Sequence, residues 1–359
     1  MLRMWYMVPV MAGMGILGWA GARAPREPRL VLTKQHPTPV ITTRSRGAEG
    51  NRFGFEGGRA VKIGDTYHLF TSEMIDDPMW VRMKFGYWTS RDRLHWTRAA
   101  TVRESSAEFA GKDPRAALWS PLPVWDENAK RWNLFYVAYH AAPGDSTTFM
   151  LNHHGRIWRA VSRAAGREGI SGPYEDERVV MEPGPDSLPW EGLQGTDSFF
   201  PYRVGSSWYA LYGSAKSETM PITHWLVGLA SAPALRGPWT RVREHSPAPI
   251  ESKFIENPIV TPAPGGGWLA VYDSQAPNTI GWAYSADGIA WNAGHALTVQ
   301  PTAGMWAKDV RTPLGLVDEG GGQYTVFYTG FEQDPDWTRL LRGEGRETCA
   351  IGFVELHLE

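Results

Sequence analysis

The sequence predicts an all-β fold, a single-domain five-bladed β-propeller. Three observations support this: a hairpin pattern that occurs five times, a third strand with its own signature after each hairpin, and no credible long helical period. Each repeated segment has a short apolar run, a polar or glycine-rich turn and a run rich in aromatic residues, which is typical of a β-hairpin. The repeated segments are 59–72, 120–139, 198–215, 257–274 and 312–330.

A third strand is predicted after each hairpin. These strands are expected within 85–96, 157–174, 227–239, 280–291 and 351–358. In the first four a serine ends the strand and an aromatic residue follows it. The serines are Ser90, Ser162, Ser231 and Ser285, and the aromatic residues are Trp96, Tyr174, Trp239 and Trp291. Similar antiparallel units of about 55–75 residues are typical of a propeller, whereas a sandwich needs no such repeat.

The chain divides into three predicted parts. Residues 1–22 resemble a secretory signal peptide, because Arg3 precedes an apolar run that ends in small residues. Residues 23–38 are a predicted linker, and 39–359 form the propeller, with 39–44 expected to supply the outer strand of the last blade. The protein is therefore expected to be secreted or periplasmic, with no membrane association once the signal is cleaved. The alternative is an uncleaved anchor, since the apolar run is near the short limit for spanning a bilayer.

Composition excludes several classes of protein. Lys and Arg number 36 and Asp and Glu 38, so the net charge of −2 gives no basic field for nucleic acid. Apolar residues make up 42% of the chain, which excludes a disordered protein. Cys349 is the only cysteine, so neither an intramolecular disulfide nor a cysteine-based metal site can form.

We expect the protein to be a monomer and to require no cofactor.

The aromatic residue that begins each second strand serves as a ruler. These residues are Tyr67, Trp132, Trp208, Trp268 and Tyr324. Counting back eleven or twelve residues reaches the predicted start of each innermost strand, at Glu56, Ser120, Asp197, Glu256 and Thr312. Innermost strands of a propeller converge on its axis, so three carboxylates from different blades would meet there. For any one of them the alternative is a carboxylate that only satisfies local turn amides.

Carboxylates held close together raise one another's pKa, so that one can stay protonated beside an ionised partner. A pair of this kind is what hydrolysis of a glycosidic bond requires. The three predicted axial carboxylates therefore indicate a protein that acts on carbohydrate, with an oligosaccharide or polysaccharide as its partner.

The order of motifs resembles that of the five-bladed propeller glycosidases, most closely glycoside hydrolase family 43, the group of arabinanases, arabinofuranosidases and xylosidases. The resemblance covers about residues 50–355. Residues 55–58 precede a strand with a Gly-Asp-x-Tyr turn, and 119–121 are similar to the family's Trp-Ala-Pro motif. Residues 195–198 correspond to its third-blade aspartate motif, and 255–258 contain its Glu-x-Pro motif.

The resemblance implies specific roles. Glu256 would be the general acid, Glu56 the general base, and Asp197 the residue that raises the pKa of the acid. The reaction would invert the anomeric centre, with the acid and base about 6.5–9.5 Å apart. Glu56 stands where the family has aspartate, and its extra methylene moves the carboxylate by roughly 1.5 Å, which is expected to reduce the rate. The resemblance also allows a structural calcium ion.

Five tryptophans lie in loops or beside innermost strand starts, outside the repeat pattern. They are Trp80, Trp119, Trp190, Trp306 and Trp337. Aromatic faces stack on sugar rings, so the first four are predicted substrate contacts. Ser120 and Arg311 complete the predicted substrate-binding set.

Three alternatives stay open. A non-catalytic sugar-binding propeller would use the tryptophans without any chemistry. A glycoside phosphorylase would need cations for phosphate, and Arg59, Lys308 and Arg311 lie near innermost strand ends. A retaining fructosidase-like enzyme would need aspartates where this chain has Glu56 and Ser120.

Overall fold

The computed structural model describes residues 27–359 except 78, 109, 141–152, 219–221, 223, 275, 277, 300–304 and 342–343. The predicted signal peptide therefore lies outside the described residues. Within the described part of the chain, no helix is long and apolar enough to cross a membrane.

In the described residues the strands pair into four-stranded antiparallel units. The first unit contains β2 (Gly54–Ile63), β3 (Thr66–Asp76), β4 (Arg82–Ser90) and β5 (Thr97–Glu104). The second contains β6 (Ala117–Asp126), β7 (Arg131–His140), β8 (His153–Ala165) and β9 (Tyr174–Met181). The third contains β10 (Asp197–Val204), β11 (Ser207–Ala215), β12 (Trp225–Ala232) and β13 (Thr240–Arg241).

The remaining strands form two further units. The fourth contains β14 (Ile255–Pro262), β15 (Trp268–Ser274), β16 (Thr279–Ser285) and β17 (His295–Thr298). The last contains β18 (Asp309–Gly320), β19 (Gln323–Phe331), β20 (Cys349–Leu358) and β1 (Leu30–Gln35). One short helix, α1 (Trp337–Leu341), lies between β19 and β20.

The innermost strands of the units surround a common axis. In chain order β2 contacts β6, β6 contacts β10, β10 contacts β14, β14 contacts β18, and β18 contacts β2. A single parallel bridge between Gly54 and Cys349 joins the first and last units into one eight-stranded sheet. A ring of antiparallel sheets whose first strands line the centre is a β-propeller, so the predicted fold class is confirmed.

The strand that completes the last unit differs from the prediction. β1 pairs antiparallel with β20, with Leu30 opposite Leu358, and lies inside the predicted linker 23–38. The expected segment 39–44 forms only one bridge, between Ile41 and Ile351. The sequence favoured 39–44 because it is β-prone. Strand β1 is the segment that covers the otherwise exposed edge of β20.

A bulge near the start of each innermost strand corrects the sequence ruler. Register shifts follow Glu56, Trp119, Asp197, Glu256 and Val310. In the hairpin register Trp119 lies opposite Val137, as Glu56 lies opposite Ser72. The position equivalent to Glu56 is therefore Trp119 rather than Ser120, and Arg311 rather than Thr312. Counting residues along the sequence does not detect a bulge, because a bulge adds a residue to one strand only.

Packing between neighbouring units fixes the positions of the innermost strands. Phe199 of β10 lies 5.4 Å from Phe135 of β7 and 4.9 Å from Trp239, measured between ring centroids. Phe199 thereby connects the second and third units. Truncating a buried aromatic side chain of this kind lowers the free energy of unfolding by about 3–5 kcal/mol. This packing therefore helps to hold the innermost strands in place.

The bulge in β2 requires a glycine directly beside the site. Gly58 has a φ of 146°, and a Cβ there would lie 2.0 Å from the carbonyl oxygen of Phe70. We expect Gly58→Ala to lower the free energy of unfolding by about 3 kcal/mol or more. Gly64→Ala is the matched control, because Gly64 also has a positive φ, 58°, but open space around it, so about 1–2 kcal/mol is expected. Urea denaturation measures both, and equal losses would contradict the steric explanation.

Candidate active site

Five side chains at equivalent strand positions converge on one end of the axis. They are Glu56, Trp119, Asp197, Glu256 and Arg311. In four of the units the next residue has a left-handed backbone, with φ of 40°, 50°, 52° and 49° at Gly57, Ser120, Ser198 and Asn257. The repeated bulge thus places carboxylates from three different strands around one space.

Glu56 is buried and held by two N–H donors. The indole Nε1 of Trp80 donates to Glu56 Oε2 at 2.8 Å, and Nη2 of Arg311 donates to Oε1 at 2.9 Å. Both oxygens of Glu56 therefore act as acceptors. The hydroxyl of Thr312 also donates to Oε1, at 3.5 Å, whereas Oε2 retains a second lone pair that can accept a hydrogen bond from water. The arrangement orients the carboxylate without using all of its acceptor capacity.

Glu256 is only half-buried, although the innermost strand around it is otherwise buried. Burial raises the pKa of its carboxyl group well above the usual value, and the charges of Asp197, Asp273 and Glu56 raise it further. The positive charge of Arg311 acts in the opposite direction. Glu256 therefore holds its proton more tightly than an ordinary carboxyl group does, in a partly accessible position.

Asp197 is fully enclosed next to this acid. Burial raises the pKa of Asp197 to about 6, whereas hydrogen bonds from Tyr139 and Ser198 lower it. The backbone N–H of Ser198 lies 2.6 Å from Asp197 Oδ1. Tyr139 is itself buried, and burial raises the pKa of its hydroxyl well above the usual value, so it donates to Asp197 as a neutral phenol.

Asp273 is a fourth carboxylate, which the sequence reasoning missed. It lies on β15 directly opposite Glu256, and side chains of directly paired residues share one face of a sheet. Burial raises the pKa of Asp273 to about 7. A signal existed: the equivalent positions of the other second strands are Ser72, Val137, Gly213 and Thr329, so Asp273 is the charged exception.

Arg311 connects the acids. Its Nη1 lies 3.3 Å from Asp273 Oδ2, and its Nη2 bonds to Glu56. Burial acts to lower the pKa of the guanidinium, but the charges of Asp273, Glu56 and Glu256 raise it well above its usual value. Arg311 also lies 5.0 Å from the ring centroid of Trp337, on α1. One cation therefore interacts with three carboxyls, those of Asp273, Glu56 and Glu256.

The structure places the other predicted substrate contacts in two kinds of environment. Trp80 and Trp119 lie next to the carboxylates but are almost fully buried, and Trp119 Nε1 donates to the carbonyl of Trp80 at 3.1 Å. Ser120 is buried and donates to Asn257 Oδ1 at 2.7 Å, which joins two innermost strands. These three residues support the site rather than offering an open surface for stacking.

Trp190 and Trp306 pack within their own units. Trp190 lies 5.5 Å from the ring of Tyr212, and a Cβ at Gly228 would contact it at 2.6 Å. Trp306 stacks on Tyr328 at 5.7 Å and passes equally close to Gly352. In both cases a third-strand glycine leaves room for the indole, which indicates a repeated packing role.

No group of three or more His, Cys, Asp or Glu side chains suited to a metal ion occurs in the described ranges. The positive charge that faces Glu56, Asp273 and Glu256 is the guanidinium of Arg311.

No protein-family model and no curated protein sequence matches this chain. Among solved structures, a family 117 glycoside hydrolase from the marine bacterium Zobellia galactanivorans is similar over 91% of both chains, with 14% identity and a TM-score of 0.63. The α-L-arabinofuranosidase from Podospora anserina, in complex with cellotriose, is 12% identical over 91% of this chain and 97% of its own, with a TM-score of 0.55.

A structure from the family 130 mannoside phosphorylases, a family that contains glycoside hydrolases that target β-1,2 mannosidic linkages, is 12% identical. It aligns over 90% of this chain and 93% of its own, with a TM-score of 0.53. At 12–14% identity these similarities show a shared fold. The chain has the propeller fold of glycoside hydrolases from several different families.

Proposed function

We propose that this protein hydrolyses O-glycosidic bonds with inversion. The observation that carries the proposal is the contrast between two carboxylates at equivalent strand positions. Glu256 is half-buried with a raised pKa, whereas both oxygens of Glu56 accept N–H bonds. A carboxyl group with a raised pKa together with a second carboxylate that accepts hydrogen bonds is the pair of groups that acid–base hydrolysis of a glycoside needs.

In the proposed reaction Glu256 donates its proton to the departing glycosidic oxygen as the bond to the anomeric carbon breaks. Glu56 accepts a proton from a water molecule, whose oxygen bonds to the anomeric carbon from the opposite face. The products are two sugars with new hydroxyl groups, and exchange with solvent restores both carboxyls. Asp197 acts through Glu256, because its negative charge disfavours ionisation of the acid.

The solved structures that share the fold act on carbohydrate, which supports an oligosaccharide or polysaccharide substrate. Family 43 membership remains part of the proposal and rests on the sequence motifs. Export from the cytoplasm, a monomeric state and a structural calcium ion are proposals of the same kind, drawn from the sequence alone.

The test is turnover of a panel of 4-nitrophenyl glycosides, including an α-L-arabinofuranoside, a β-D-xyloside and a β-D-mannoside, in phosphate-free buffer. We expect release of nitrophenol from at least one of them. Proton NMR in the first minutes should show the anomer opposite to that of the substrate. Formation of the same anomer would exclude inversion. Binding by calorimetry with no turnover would support the sugar-binding alternative.

A glycoside phosphorylase is the second candidate, because a phosphorylase family shares the fold and Arg311 lies on the axis. However, Arg311 already contacts Glu56 and Asp273, and the surrounding carboxyls make the pocket unfavourable for an anion. Hydrolysis that is unchanged by added phosphate is therefore expected. A rate that requires phosphate and yields a sugar phosphate would establish the alternative.

Asp197→Asn provides a pH test of the acid. The charge of Asp197 raises the pKa of Glu256, so its removal lowers that pKa. Because the acid must be protonated, the alkaline limb of the kcat/KM profile should move to lower pH. Asp65→Asn, at an exposed hairpin turn, is the control and should leave the profile unchanged. An alkaline limb that stays in place in Asp197→Asn would show that this charge does not act on the acid.

A further inference from the structure

The far ends of the five innermost strands surround a second opening of about 450 Å³. Glu56 and Lys62 lie near opposite ends of β2, about 15–20 Å apart at roughly 3.3 Å per residue. We call this opening the lower mouth. Its main side chains are Arg59, Trp125, Trp132, Phe200, Trp208 and Trp268. It contains none of the carboxylates of the candidate active site.

Aromatic rings form much of the wall of the lower mouth. Trp125 and Trp132 lie 5.5 Å apart with their planes tilted by 60°. Trp208 and Trp268 each begin a second strand and remain partly exposed. Arg167 lies 4.4 Å from the ring centroid of Trp125, and Trp132 is buried. The partly exposed indoles of Trp208 and Trp268 are therefore the ones that can stack on the apolar face of a sugar ring.

Arg59 gives the lower mouth an uncompensated charge. Its Nη1 donates to the carbonyl of Pro123 at 2.7 Å, and its guanidinium lies 4.7 Å from the ring centroid of Phe200. Among the described residues no carboxylate lies within ion-pair distance of Arg59, whereas the nearby Lys62 is paired with Glu319 at 2.6 Å. Burial lowers the pKa of Arg59 to about 10, so it remains charged near neutral pH.

The donors of Arg59 are mostly unused. A guanidinium carries five N–H groups, and one of them serves the Pro123 carbonyl. Asp318 is the acid that lines the lower mouth, and its carboxylate accepts the backbone N–H of Gly320 at 2.8 Å. A half-buried cation with free donors next to aromatic faces favours a ligand that has both a carboxylate and a sugar ring.

We propose that the lower mouth binds a uronic acid residue of a saccharide. The guanidinium of Arg59 donates hydrogen bonds to the carboxylate of the uronic acid, and the indole of Trp208 or Trp268 stacks on the sugar ring. This binding does not depend on the proposed hydrolysis, because the two sites lie at opposite ends of the axis. A saccharide that contains uronic acid could therefore be held by the protein while another part of it is cleaved.

The test is calorimetry with methyl α-D-glucuronoside, methyl α-D-glucoside and sodium sulfate. We expect the glucuronoside to bind and the other two not to. Arg59→Met should weaken binding by about tenfold or more, since hydrogen bonds to a charged group are worth about 1.5–3 kcal/mol. Lys62→Met is the matched control, because Lys62 lines the same opening but is already paired with Glu319.

Two further measurements keep the outcome clear. If Arg59→Met does not fold, Trp208→Ala should weaken glucuronoside binding, while hydrolysis of an aryl glycoside is unaffected. The glucuronoside should also bind unchanged to Glu256→Gln, which separates it from the active site. Equal binding of sulfate, binding that survives Arg59→Met, or competitive inhibition of hydrolysis would each overturn the proposal.

Discussion

Replacing Glu256 with glutamine is expected to lower kcat/KM by about 10²–10⁴-fold, the usual contribution of a positioned general acid. The amide matches the carboxyl in size but has no proton to donate to the leaving oxygen. The loss should be larger for a sugar leaving group than for nitrophenolate, which departs without protonation. Initial rates on one substrate of each kind measure the difference.

The same substitution should not destabilise the fold. In the proposed mechanism Glu256 is protonated among Asp197, Asp273 and Glu56, and the amide of glutamine is neutral like that acid. We therefore expect a thermal midpoint close to that of the wild type, so that any loss of activity is chemical. Full activity of Glu256→Gln on both substrates would remove Glu256 from the mechanism.

Replacing Arg311 with methionine should affect both stability and activity. Arg311 is the shared partner of Glu56 and Asp273, and removing one partner of a buried ion pair typically costs about 3–5 kcal/mol. Glu56 also loses the donor that orients it, so kcat/KM should fall by about 10²-fold or more. Urea denaturation and initial rates measure the two effects.

A pH profile distinguishes positioning by Arg311 from a merely structural role. Its charge lowers the pKa of Glu256, so in Arg311→Met the residual activity should extend to higher pH. Arg241→Met is the matched control: Arg241 is a buried partner of Glu191 in the third unit, and its loss should destabilise without moving the profile. If both variants shift the profile alike, Arg311 has no specific role.

The double variant Asp273→Asn with Arg311→Met should regain part of the free energy of unfolding that Arg311→Met loses, but its kcat/KM should stay low.

Much of the fold could be predicted because the repeated sequence pattern specifies the strands of each unit. Each unit encodes its hairpin by apolar alternation and turn residues, and these signals are local. The strand that closes the ring was not predictable in the same way. Segments 30–35 and 39–44 are both β-prone, and pairing with the last unit depends on a partner more than 300 residues away.

The site was only partly predictable for a related reason. Glu56, Asp197 and Glu256 stood out because they are charged residues at strand starts. Asp273 did not, because its importance comes from lying opposite Glu256 in a bulged hairpin. For Trp190 and Trp306 the structure adds close packing against third-strand glycines, which composition does not reveal, while both indoles stay partly exposed.

The antiparallel pairing of β1 with β20 has a mechanical consequence. The backbones of Arg29 and Glu359 exchange two hydrogen bonds, of 2.9 and 2.8 Å, at the outer end of this pair. A force that pulls these two residues apart would load the bonds one after another rather than all at once. The outer strand β1 should therefore peel away from β20 at low force, while the rest of the last unit stays paired.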